Sequence, residues 1–139
     1  FHDRWNGFDD SLYAVGRLME IVARRCPNGE PFSSLFDNIP NYPSTGEAKV
    51  PLSGEREDTM SAVKSSFSDL ECNLADGVRV RYDSHLGVES GWFLCRPSNT
   101  EPILVMRAEA DSQRGLDAIR NDVENRIGNF IDLSKFQDA

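Results

Sequence analysis

Between positions 96 and 102 the chain reads Arg-Pro-Ser-Asn-Thr-Glu-Pro. Arg96 can present a planar fork of N–H donors to a phosphate. Ser98 and Thr100 each add a hydroxyl, and Asn99 adds an amide NH2. Successive backbone N–H groups in a tight turn can also converge on an anion. Pro97 and Pro102 restrict the backbone, so less entropy is lost when a ligand is clamped. Each charge-assisted hydrogen bond is worth roughly 1.5–3 kcal/mol, so several would hold a phosphate without a metal. The same residues also suit a polar hairpin loop whose Ser, Asn and Thr cap their own backbone, and composition leaves both readings open. Arg107 lies in an otherwise apolar run and needs a partner, either a bound anion or an acid across the sheet near Glu109. Arg79 and Arg81 suit a solvated sheet face or a part of the site.

Other chemistries find little support. Cys26, Cys72 and Cys95 are odd in number and show no Cys-x-x-Cys spacing, which predicts reduced thiols and a cytoplasmic protein. His2 and His85 have no Cys or His partners at metal spacing, so no metal site is expected. The formal net charge of -8 argues against general nucleic-acid binding, which needs local positive charge. No apolar run approaches the roughly 20 residues of a membrane helix. An anion site in so acidic a chain must be built locally, from a few arginines and oriented N–H groups.

The elements around the loop can be read from periodicity. Residues 9–25 predict an amphipathic helix, with Leu12, Val15, Leu18, Met19 and Val22 at helical spacing. Asp9 and Asp10 suit its N-terminus, and Arg24 and Arg25 its C-terminus. Gly16 in its interior suggests close approach of another element. A short second helix is expected at 32–37, and the Pro- and Gly-containing stretch 38–47 marks a boundary. An extended piece at 48–52 precedes a helix over 55–67 that carries Met60, Val63 and Phe67 on one face. Residues 77–83 alternate Val78, Val80 and Tyr82 with Arg79, Arg81 and Asp83, the signature of a half-buried strand. Strands at 91–95 and 102–110 flank the loop. A long helix over 111–130 follows, with Asp111 as its expected N-cap and Leu116, Ile119, Val123, Ile127 and Phe130 as its apolar stripe. Consecutive short-linked strands should be antiparallel. With helices on one face they make an α+β fold.

The segments "DGVRVRY" and "GWFLCRPSNTEPILVMRAEA", followed by the long helix, resemble the C-terminal domain of the α-D-phosphohexomutases. Upstream, "FHDRWNGFDDSLYAVGRLMEI" and "IPNYPSTGEAKV" resemble the end of that family's third domain and its exit. The likeness runs to about Phe130 and favours the bacterial phosphomannomutase/phosphoglucomutase branch over the phosphoglucosamine branch. It implies residues 1–44 as a helical remnant of an α/β sugar-binding domain plus hinge, and 45–139 as a TATA-binding-protein-like α+β domain, an antiparallel sheet covered by helices on one face. It implies an isomerase of four domains that interconverts mannose or glucose 1- and 6-phosphates by intramolecular-type phosphoryl transfer. A phosphoserine in domain 1 and Mg2+ in domain 2 would do the chemistry through a hexose 1,6-bisphosphate. Domain 4 would grip the phosphate that is not reacting, through Arg96, Ser98, Asn99 and Thr100, with Arg107 a neighbour.

This chain has neither the family's Ser-His-Asn nucleophile loop nor its Asp-Gly-Asp metal loop. The resemblance therefore implies a C-terminal piece that starts just past the sugar-reading loop, depends on the remaining domains and is inactive alone. Gly46 stands where relatives often place a proline, which softens the expected hinge at 42–46. The rival expectation is a small α+β module that binds RNA or protein through Arg79, Arg81, Arg107 and Tyr82.

Overall fold

Asp10 begins the first helix by accepting the N–H of Tyr13 on Oδ1 at 2.8 Å, an N-cap of the expected kind. The helix, α1, runs Ser11–Arg25 and ends where the Cys26 N–H reaches the Val22 carbonyl. Residues 4–7 and 9–139 are described in this computed structural model. His2 and the other opening residues of the resemblance, 1–3 and 8, lie outside them. Two units are distinguished, one ending at Pro40 and the other Asn41–Ala139. In the first, α1 is followed by a 3-10 helix, Phe32–Phe36. Glu20 pairs with Arg17 and with Arg24 along the helix surface. The apolar stripe is present but uncovered, with Leu12 at 84% exposure and Met19 at 67%. No described atom stands within 4 Å of a side-chain position at Gly16. The close approach expected there is therefore absent among the described residues.

The second unit carries the loop. Its order is β1 (Ala48–Pro51), α2 (Arg56–Ser66), β2 (Cys72–Asn73), β3 (Val78–Arg81), β4 (Gly91–Pro97), β5 (Ile103–Ala110), α3 (Gln113–Ile127) and α4 (Ser134–Gln137). The strands form one antiparallel sheet ordered β1-β5-β4-β3-β2. Alternation sorts the faces. Val50, Val80, Phe93 and Met106 are fully buried and share the core with Val63 of α2 and Ile119 and Ile127 of α3. Lys49, Arg79, Arg81 and Arg107 project from the exposed alternate positions. Phe93 lies between Phe67, at 5.6 Å between ring centres, and Phe136 of α4, at 5.5 Å. Burying each such ring contributes about 1.5–3 kcal/mol. The expected α+β class, an antiparallel sheet with helices packed on one face, is the fold observed.

Two details of α3 differ from expectation. Its N-cap is Ser112, whose Oγ accepts the Gly115 N–H at 3.1 Å, not Asp111. The apolar stripe stops at Ile127, the last helical residue. Phe130 is 38% exposed, and Ile131, Leu133 and Phe136 close the core in its place. Residues 43–45 belong to the sheet edge. Ala110 donates to the Pro43 carbonyl, Ser44 bridges Glu109, and Thr45 and Ala108 exchange hydrogen bonds through the Thr45 N–H and Oγ1. Bending the chain at these three positions would break those bonds.

Candidate anion-binding loop

The β4–β5 hairpin positions the loop. Arg96 pairs with Val105 and Pro97 with Leu104, after which the chain leaves the ladder. The Ser98 N–H donates to the Ile103 carbonyl at 2.9 Å and closes the base of the loop. On the far side the Pro102 carbonyl accepts the Leu52 N–H at 3.0 Å, which moors the loop to the chain leaving β1. The loop's ends are thus fixed by both neighbouring strands.

Inside the loop, Ser98 is the organiser. Its Oγ accepts the N–H groups of Thr100 and Glu101, each at 3.3 Å, and lies 3.4 Å from the Thr100 hydroxyl. This is a serine turn in which the side chain replaces a backbone acceptor. Of the two uses left open by composition, the capping one is carried by Ser98. Asn99 and Thr100 are exposed, and the Asn99 carboxamide has no hydrogen-bond partner among the described residues.

Arg96 stands at the root of the loop. Its only charged partner among the described residues is Asp76, with Oδ2 3.9 Å from Nε. No hydrogen bond from the guanidinium to another described residue is present. Asp76 is a neighbour of Arg96 that the sequence reading did not single out; the signal was the Asp-Gly pair immediately before an alternating strand, which marks a turn.

Arg107 projects from the same sheet face as Arg96. Leu94 is its partner across the ladder, and Arg96 faces Val105, two positions from Arg107. Such diagonal neighbours stand about 7–8 Å apart. Its acidic partner is Glu109 itself, on the same strand, with an N–O distance of 3.6 Å. The expected cross-strand acid is replaced by one two residues along, because the residue opposite Arg107 is apolar.

The remaining arginines of the open face are engaged elsewhere. Arg79 stacks over the Trp92 ring at 4.7 Å. Arg81 contacts Glu71 at 3.2 Å and Asp83 at 2.5 Å. The Asp83 and Glu71 carboxylates raise the Arg81 guanidinium above its ordinary range. A hollow of the open face lies between these groups, lined by Arg79, Arg81, Asp83 and Trp92. Arg81 there is hydrogen-bonded to two carboxylates, whereas Arg96 at the loop has a single carboxylate at 3.9 Å. Among the described residues, no three His, Cys, Asp or Glu side chains gather to hold a metal ion. No described helix is long and apolar enough to cross a membrane.

Comparison with known proteins points one way. The family model described as "Phosphoglucomutase/phosphomannomutase, C-terminal domain" matches residues 47–126. A phosphomannomutase/phosphoglucomutase of Pseudomonas syringae pv. tomato is 37% identical over 123 residues, covering 86% of this chain and 24% of that protein. A phosphoglucomutase of Neisseria gonorrhoeae is 39% identical over 126 residues, covering 87% and 25%. The crystal structure of a phosphoglucomutase/phosphomannomutase family protein from Burkholderia thailandensis superposes with a TM-score of 0.61 at 34% identity, over 91% of this chain and 26% of that one. The chain thus spans about a quarter of the length of these relatives.

Proposed function

Because the chain belongs to the phosphoglucomutase/phosphomannomutase family, through that family's C-terminal domain, we propose that it holds the phosphate not being transferred while a hexose 1-phosphate and a hexose 6-phosphate are interconverted. The observation that carries this reading is the division of labour in the loop. Ser98 spends its oxygen on the loop's own N–H groups, while Arg96, Asn99 and Thr100 keep donors for a ligand. Arg107 on the same face adds a second positive charge at short range.

The chemistry assigned to this chain is binding and orientation. A phosphate anchored at one end of the sugar fixes the position of the other end, and remote binding energy of this kind lowers the barrier elsewhere. Phosphoryl transfer itself is assigned to other parts of a complete enzyme, together with its Mg2+ and the hexose 1,6-bisphosphate intermediate. The described residues do not form a site suited to that metal. Three free thiols accord with a cytoplasmic enzyme. Nucleic acid is not a proposed partner. Arg81 is matched by two carboxylates and Arg79 lies over the Trp92 ring, which leaves the RNA- or protein-binding alternative little free charge outside the proposed phosphate site.

Titration of the chain with glucose 1-phosphate or mannose 1-phosphate, followed by amide chemical shifts, tests the reading. Shifts centred on 96–100 and Arg107 are expected. Shifts centred on Arg79 and Trp92, or none at millimolar ligand, would refute it.

A further inference from the structure

The Asp76-Gly77 turn that opens β3 lies directly against Arg96. Gly77 has a φ of +78°, a conformation that residues with a side chain rarely adopt. Val78 pairs with Cys95, so Gly77 arrives beside Arg96 just where the β3 ladder ends. A side chain at Gly77 would begin 2.4 Å from the Cys95 carbonyl oxygen and 2.7 Å from both Cα and Cβ of Arg96. These are backbone and root atoms, which cannot rotate aside. The bare Cα of Gly77 is therefore what lets the two strands close at this point. That closure sets Gly77 against the root of the Arg96 side chain. On the same turn, the Asp76 carboxylate stands 3.9 Å from Nε, so one turn touches both the root of the side chain and its guanidinium.

We infer that Gly77, with Asp76 before it, is the positioning element that aims Arg96 at the anion held by Asn99 and Thr100. The inference rests on the phosphate-binding reading above. A bidentate grip is sensitive to placement, and a displacement of the order of 1 Å can cost a large factor. Gly87 supplies an internal control. Its φ is +76°, and nothing stands within 4 Å of its side-chain position. A methyl group there meets the same backbone demand without touching Arg96.

The experiment compares Gly77→Ala, Gly87→Ala and Arg96→Ala in the 139-residue chain, titrated with inorganic phosphate by amide chemical shifts. Gly87→Ala is expected to bind within about twofold of the unsubstituted chain, and Gly77→Ala about tenfold more weakly. Adding Gly77→Ala to Arg96→Ala should cause no further loss, which a general structural effect would not reproduce. In the unsubstituted chain the Gly77 amide should shift with the same midpoint as residues 96–100, a measurement that stands even if Gly77→Ala does not fold. Equal binding by the two alanine variants, or a silent Gly77 amide while 96–100 move, overturns the inference. No response at 96–100 in the unsubstituted chain overturns instead the phosphate reading on which it rests.

Discussion

The Tyr82 hydroxyl donates to Asp122 Oδ2 at 2.7 Å, joining the residue after β3 to the middle of α3. The same oxygen of Asp122 accepts the Arg126 Nε–H at 2.7 Å, and Arg126 reaches on to the Ser66 carbonyl at the end of α2 and to Asp69 just beyond it. One carboxylate thus ties both long helices of the second unit to the sheet. Tyr82 is fully buried, so its hydroxyl has no water to fall back on. Tyr82→Phe removes one hydrogen bond and leaves Asp122 satisfied by Arg126, at a cost of about 1 kcal/mol. Asp122→Ala strands the buried hydroxyl and releases Arg126, at a cost of about 2–3 kcal/mol. In the double variant the two costs should fall short of their sum, because the phenol that Asp122→Ala would strand is gone. Urea unfolding of the four proteins checks this order.

The same contact sets a pH dependence. Burial, reinforced by the Asp122 hydrogen bond and charge, holds the Tyr82 phenol well above the ordinary tyrosine range. In the unfolded chain that phenol titrates near its usual value of about 10. Above that pH the unfolded state has released a proton that the native state keeps, so stability falls as pH rises. The contribution is fully present below about pH 10 and is lost progressively above it. Tyr82→Phe should therefore flatten the decline in unfolding free energy between about pH 9 and 11. Parallel curves for the two proteins would contradict the assignment.

Where local pattern and tertiary environment agree, the elements could be read directly. Val78, Val80 and Tyr82 alternate with charges and are buried in that alternation. Other features depend on partners distant in sequence. Strand β2 has two residues and no periodicity of its own; it exists because Cys72 faces Val80 and Asn73 faces Arg79. Phe130 continues the helical spacing of α3, but the helix ends at Ile127, so the spacing no longer describes a face. Phe136 reaches the core from a four-residue helix too short to show a pattern. In the loop, the residue types left an anion site and a self-capped turn both open; that Ser98 does the capping, and that Asp76 and Gly77 lie beside Arg96, required the geometry.

Within the loop, Ser98 and Arg96 should fail in different ways. Ser98→Ala frees the N–H groups of Thr100 and Glu101, which are held by Ser98 Oγ, and loosens the turn that presents Asn99. Ser98→Thr keeps an acceptor at the same atom and should restore most of the binding. Arg96→Ala removes a charged donor outright. In a complete mutase carrying this domain, Arg96→Ala should raise KM strongly and also lower kcat, because the lost contact orients the substrate as well as binding it. A charge-assisted contact of about 1.5–3 kcal/mol corresponds to roughly a 10- to 150-fold loss in kcat/KM. Steady-state kinetics on the three variants separate these outcomes, and unchanged constants for Arg96→Ala would remove it from the site.

The 139-residue chain should bind sugar phosphate without turning it over. Transfer needs a phosphoryl donor and electrostatic stabilisation of the moving group. The family's Ser-His-Asn and Asp-Gly-Asp motifs do not occur in this sequence, and no cluster suited to a metal is present among the described residues. On the proposed reading, Arg96, Asn99 and Thr100 hold a phosphate and do not transfer it. A coupled assay with glucose 1-phosphate, Mg2+ and glucose 1,6-bisphosphate should stay at background while the amide titration saturates. Conversion above background, abolished by Arg96→Ala, would show that this domain carries chemistry of its own and would require a nucleophile among its residues.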